Sequence, residues 1–177
     1  DRIALGYPVP LPVDSPLPFD GFRSYAALHL RHQDLELTTP WVHGEIVGET
    51  RAGRPIRAYR LGDDDRLTPW GVPEAATLTN GGIHAREWQS PETVTGILEL
   101  LASAPEDRHF YDYLREQVNM VVIPVLNIDG FLQTQRYPTR NYLGTDPGNP
   151  LFWPRDGRMR RKNMLMVDEN LNSAGDH

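Results

Sequence analysis

Apolar and polar residues alternate along Val42-His43-Gly44-Glu45-Ile46-Val47-Gly48 and again along Pro55-Ile56-Arg57-Ala58-Tyr59-Arg60-Leu61. This is the period-two pattern of strands with one face buried. Arg51-Ala52-Gly53 between them suits a turn, so the two runs predict an antiparallel hairpin. Upstream, Phe22, Tyr25, Ala26, Leu28 and Leu35 supply one apolar face for a helix over about residues 22–34, and Pro40 ends any helical run. Downstream, Ala75 to Thr79 predicts a short buried strand that leads into Asn80-Gly81-Gly82.

Ser90 and Pro91 form an N-cap and first-turn pair, and Val94, Ile97, Leu98 and Leu101 carry a helical stripe to about residue 103. A second helix over about 107–117 follows Pro105. Val118 to Leu126 is almost continuously apolar, the character of a central strand buried on both faces. Strand, helix and strand in that order predict a right-handed crossover in an α/β sheet. Before these elements, Pro8, Pro10, Pro12, Pro16 and Pro18 predict an extended arm over residues 1–18, set apart from residues 19–177. After them, from Gln133 onward, the periodicity lapses into a long functional loop with Tyr137, Tyr142, Phe152 and Trp153 as anchors.

Composition narrows the chemistry. The 177 residues suffice for one sizeable core, and a net charge of -6 gives no general reason to bind nucleic acid or an anionic membrane. No apolar run reaches the roughly 20 residues of a membrane span, and the start, Asp1-Arg2-Ile3, carries no signal-peptide pattern. The missing initiator Met is read as a removed leader or a trimmed sequence, which favours a secreted or periplasmic enzyme. With no cysteine, disulfides and thiolate chemistry are excluded, and a metal would have to use His, Asp or Glu.

Asn80-Gly81-Gly82-Ile83-His84-Ala85-Arg86-Glu87-Trp88 sets a His and a Glu three residues apart, just beyond the end of a predicted strand, where open α/β sheets place their sites. Zinc accepts both donor types, and catalytic zinc often has two His, one Glu and an open position. The bare His-x-x-Glu spacing also arises by chance. His29, His32, His43 and His109 have no acidic partner at motif spacing and are read as surface or hydrogen-bonded histidines. The Asp63 to Asp65 cluster is read as a solvated turn, with calcium binding as the rival reading.

The whole string around His84 resembles the first metal-binding motif of carboxypeptidase A-like zinc enzymes. The likeness extends to Phe22-Arg23-Ser24-Tyr25, to Gly53-Arg54-Pro55-Ile56, to Asn127-Ile128-Asp129-Gly130 and to Arg161-Lys162-Asn163. It implies a mixed twisted sheet flanked by helices, incomplete in this chain, and hydrolysis of C-terminal peptide bonds by a zinc-activated water. Carried over residue by residue, His84 and Glu87 bind one Zn2+, Arg161 stabilises the developing oxyanion, and Arg86 contacts a peptide or protein C-terminus. Asn127 and Asp129 are read as structural turn residues.

The family also uses a second histidine ligand, a glutamate base and an Asn-Arg pair for the substrate carboxylate. Val167-Asp168-Glu169-Asn170-Leu171-Asn172 echoes that pair's motif, but Leu171 stands where the arginine belongs. The remaining groups, with the third ligand, are expected outside this chain, on a complementary C-terminal segment of the same domain. Terminal His177 is a poor substitute, because chain ends are seldom tied down. Two rival readings stay open: an inactive peptide-binding relative, and a zinc-dependent deacylase on the same scaffold.

Overall fold

The alternating runs do form a hairpin. In the computed structural model, which describes residues 12–17, 20–103 and 108–135, β1 (Val42–Glu49) pairs antiparallel with β2 (Pro55–Leu61), from Val42 opposite Leu61 to Glu49 opposite Pro55. A bulge lies between Ile46 and Gly48. The turn closes through Gly53 N to Thr50 O (2.9 Å) and Thr50 N to Arg54 O (2.8 Å). Gly53 has φ 75°, a left-handed conformation that suits glycine.

Helix α1 (Tyr25–Thr38) begins later and ends later than its apolar face predicts. Ser24 is the N-cap, its hydroxyl accepting from Ala27 N at 3.1 Å. At the other end, Thr39 N still bonds Leu35 O at 3.0 Å, and Pro40 has no N–H to continue. Leu28, His32 and Leu35, at i, i+4 and i+7, form its buried face.

The sheet has the order β1-β2-β4-β3. β2 meets β4 (Val118–Ile123) antiparallel over Tyr59–Leu61, and β3 (Ala75–Asn80) runs parallel to β4 along its whole length. Helices α2 (Gln89–Ser103) and α3 (Arg108–Gln117) join β3 to β4, the kind of crossover that parallel neighbours require. The protein is therefore α/β, with a mixed sheet flanked by helices. Leu35, Val42, Tyr59, Leu61, Leu98 and Val122 belong to one core between helices and sheet. Leu28, Trp88, Val125, Ile128 and Phe131 form a second.

Four expectations need correction. β3 is not buried: it is an edge strand among the described residues, and Leu78 is 64% exposed. Its apolar composition could not reveal that, among the described residues, β4 alone lies beside it. β4 is shorter than Val118 to Leu126, stopping at Ile123 before Pro124, and within the strand only Val122 is buried. Residues 128–135 form a further helix, α4 (Ile128–Gln135), where a Gly130 turn followed by a loop was expected. Asn127 caps it, its side-chain oxygen accepting from Gly130 N at 3.0 Å. Ser90 likewise lies within the first turn of α2 and not at its cap.

Arg23 fastens α1 to α2. It is 1% exposed and donates to Glu92 and Glu99, both at 2.9 Å, while Arg31 joins Glu99 at 2.9 Å. Within the expected N-terminal arm, Val13 bridges Arg23, and Ser24 N bonds Val13 O at 2.7 Å. Residues 1–11 and 18 of that arm lie outside the described residues, as do the loop anchors Tyr137, Tyr142, Phe152 and Trp153.

Candidate metal centre

β3 ends at Asn80, and the chain then turns through Gly81 and Gly82 under tight constraint. A Cβ on Gly81 would lie 2.5 Å from Pro124 O, so no larger residue fits the backbone as it stands. Gly82 has φ 64°. Beyond the glycines, Ala85 and Trp88 are buried, while Arg86 and Glu87 are exposed. Trp88 is the loop's anchor, making edge-on contacts with Phe22 and Phe131 at 5.9 and 6.4 Å.

This arrangement brings the two sequence-predicted ligands together. His84 Nδ1 stands 2.9 Å from Glu87 Oε1, with the His84 side chain 12% exposed and the Glu87 side chain 51% exposed. Two donors bound tetrahedrally to one zinc at about 2.0–2.1 Å stand roughly 3.3 Å apart. Here the two are hydrogen-bonded to each other directly, a few tenths of an ångström closer than that, and the imidazole and carboxylate are zinc donor types. Among the described residues no third His, Asp or Glu joins them. Arg86 lies two positions past His84 on the same loop, exposed.

The loop's backbone is held by groups that the sequence did not mark as functional. Leu126 N and Asn127 N bond Gly81 O and Gly82 O at 2.9 and 3.0 Å. The Ser90 hydroxyl accepts from Gly82 N at 2.8 Å and donates to Glu87 O at 3.0 Å, so it ties both ends of the loop. From α4 and its cap, Asn127 Nδ2 donates to Ile83 O at 3.1 Å and Thr134 Oγ1 lies 2.9 Å from Ala85 O. Gly130 makes this approach possible, since a Cβ there would meet Ala85 Cβ at 2.8 Å. An Asn at a helix cap and a Thr seven residues later are the only signals the sequence offered for it.

The expected structural role of Asn127 and Asp129 takes a specific form. Asp129 is buried and accepts from Ala52 N and Thr50 Oγ1, both at 3.1 Å, and from Arg54 at 2.5 Å. It therefore clamps the β1–β2 turn, far along the chain. His32 bonds Thr95 Oγ1 at 2.8 Å, and His29 stacks on Tyr25 at 5.8 Å.

The acidic turn contains Asp63, Asp65 and Glu74, whose carboxylate oxygens lie within 4.8 Å of one another. Asp63 and Asp65 each accept a backbone N–H two residues on, the bonding of an Asx turn. Burial, then the charges of Asp63 and Asp65, push the Glu74 carboxyl above its ordinary range. A separate concavity of about 470 Å³, lined by residues of the segment from Glu36 to Gly44, includes none of the ligand loop.

The sequence model of the family described as zinc carboxypeptidase matches residues 33–172, the greater part of the chain. The chain belongs to the zinc carboxypeptidase family. Among curated zinc carboxypeptidase relatives, it is 36% identical over 90 residues to carboxypeptidase B of Astacus astacus, covering 51% of this chain and 27% of that protein. It is 32% identical over 127 residues to the inactive metallocarboxypeptidase ecm14 of Talaromyces stipitatus, covering 70% of this chain and 21% of that protein. The chain thus spans about a quarter of the length of these relatives.

The carboxypeptidase fold is also found in solved structures. The carboxypeptidase A of Helicoverpa armigera superposes with a TM-score of 0.60 at 21% identity, covering 86% of this chain and 31% of that one. Thrombin activatable fibrinolysis inhibitor gives 0.61 at 19% identity, covering 81% and 30%. Arg161 and the segment from Asp168 to His177 lie outside the described residues. No helix among the described residues is long and apolar enough to cross a membrane.

Proposed function

We propose that this chain supplies two of the three protein ligands of the metal centre in a zinc-dependent carboxypeptidase that removes residues from peptide C-termini. The observation that carries the reading is the His84–Glu87 pair, 2.9 Å apart on a loop pinned by backbone and side-chain bonds. His84 and Glu87 hold the zinc, with the third ligand outside this chain. When bound, zinc polarises the scissile carbonyl and acidifies a coordinated water. Arg161 stabilises the developing oxyanion, the electrostatic contribution that is usually largest in such chemistry. Arg86, exposed beside the ligands, contacts the substrate. The partner that completes the site is a complementary C-terminal segment of the same domain, and the β3 edge, which no strand covers among the described residues, supports this, since such an edge favours a further strand.

The test is made on the full-length protein, with zinc content and cleavage of a peptide bearing a free C-terminus measured together. His84→Ala and Glu87→Ala should each abolish stoichiometric zinc and cleavage, and an amidated peptide should resist the parent enzyme. Full zinc on both variants would overturn the ligand assignment. The likeness to a relative named inactive favours a second reading, a peptide-binding protein without turnover. Peptide binding without cleavage by the parent would establish it, and release of an acyl group in place of a C-terminal residue would establish a deacylase.

A further inference from the structure

Two peptide units of the ligand loop, Ile83–His84 and Ala85–Arg86, are each held by a side chain from one short element. Asn127, the α4 cap, donates to Ile83 O at 3.1 Å, and Thr134, in the last turn of α4, reaches Ala85 O at 2.9 Å. Thr134 is fully buried, and the indole of Trp88, itself on the ligand loop, donates to its hydroxyl oxygen at 2.7 Å. That contact leaves the hydroxyl proton for a carbonyl, and two compete: Ala85 O at 2.9 Å and Phe131 O at 2.8 Å within the helix. A helical Thr often bonds only its own preceding turn. Here the indole and the Ala85 carbonyl both belong to residues 84–88, so the hydroxyl bridges two points of the loop that carries the ligands.

We propose that Thr134 is a positioning residue for the metal pair: its hydroxyl, together with Asn127, clamps the backbone around His84 so that the imidazole and the Glu87 carboxylate converge on one point. The proposal rests on the zinc reading above and adds to it the device that sets the ligand geometry. The physical reason is entropic and geometric. A ligand loop that samples several backbone conformations must be ordered when the metal binds, whereas one already bonded through Ile83 O, Ala85 O and Glu87 O is close to its bound form. Groups outside the ligand set commonly alter metal affinity by about 10–100-fold.

The experiment uses full-length protein and measures zinc affinity by competition with a chelator, together with the absorption spectrum of the cobalt-substituted form and the thermal stability of the metal-free form. Thr134→Val removes the hydroxyl at constant shape and should weaken zinc by about 10–100-fold and alter the cobalt bands. Thr134→Ser, which retains the hydroxyl, should restore affinity to within about threefold of the parent, a recovery expected if the bridge sets the geometry. If Thr134→Val lowers stability while zinc affinity and the cobalt spectrum stay parental, the role is structural and the proposal is wrong. Should Thr134→Val fail to fold, Asn127→Ser decides. Serine keeps a cap oxygen for Gly130 N but is too short to reach Ile83 O, and parental zinc affinity in that variant overturns the proposal. A parent protein that takes up no zinc would sink the metal reading itself, a result distinct from equal binding by parent and variants.

Discussion

Acidification from pH 7 to about pH 5 should cost this fold about 2 kcal/mol through one side chain, His32. The imidazole lies on the buried face of α1, 4% exposed, bonded to Thr95 Oγ1 at 2.8 Å and tilted against the Tyr59 ring at 5.4 Å. Burial is the main reason its pKa is lowered to about 3, with the positive charges of Arg23, His29 and Arg31 adding to it. In the unfolded chain the group titrates near 6.5. Between those values the unfolded state holds a proton that the folded state refuses, so stability falls as the pH drops. The contribution is fully present above about pH 7, is reduced by about 2 kcal/mol at pH 5, and goes on falling toward the folded pKa of about 3. His32→Gln keeps a hydrogen-bonding side chain and removes the titration. Urea unfolding of parent and variant at a series of pH values isolates the effect, because the carboxylates common to both cancel in the difference. A parent-minus-variant difference that stays constant from pH 7 to 5 would refute the argument, as would an NMR titration placing His32 near 6.5 in the folded protein.

Two further outcomes follow from packing. Arg23→Leu should destabilise the fold by about 1–3 kcal/mol in urea titrations, because the half-buried Glu92 carboxylate would lose its cation while Glu99 keeps Arg31. Gly81→Ala should cost about 1–3 kcal/mol and lower zinc affinity, because the new methyl would meet the carbonyls of Pro124 and Ser90 at 2.5 and 2.9 Å, and both are backbone. Gly44→Ala is the control: the nearest atoms to its methyl belong to the Glu36 carboxylate, which can swing away from Arg57 at a cost of less than about 1 kcal/mol.

The elements with clear periodicity were legible. The hairpin and α2 could be read because their apolar residues follow local alternation or a 3.6-residue stripe, Pro40 marked an end, and α3 and the parallel pair were placed although α3 buries no residue and β4 only Val122. Burial of whole strands could not be read: Ala75 to Asn80 is apolar enough for a central strand, yet its exposure depends on which strands lie beside it. Helix α4 was hidden because Asn127, Asp129 and Gly130 carry strong turn signals that also describe a helix cap and a close approach. At the site, His84 and Glu87 were identifiable from donor chemistry and spacing. Asn127 and Thr134 were not, because their work is done on backbone groups tens of residues away, which no local pattern encodes, and Ser90 was read only as a helix cap.

Besides its core packing and the Arg57–Glu36 ion pair, the hairpin is fastened to the remainder by hydrogen bonds at two separated points. At one end β2 pairs with β4 over Tyr59–Leu61, and at the other Asp129 grips the turn through Thr50, Ala52 and Arg54. Peeling it away requires both attachments to fail together, so the inter-strand amides of β1 and β2 should exchange with deuterium as one cooperative block rather than strand by strand. Because Asp129 sits on the helix whose Thr134 reaches the ligand loop, that block and the His84 loop are both tied to α4. Loosening the turn at residues 50–54 would therefore register as faster amide exchange around His84, with no chemical change at the ligands themselves.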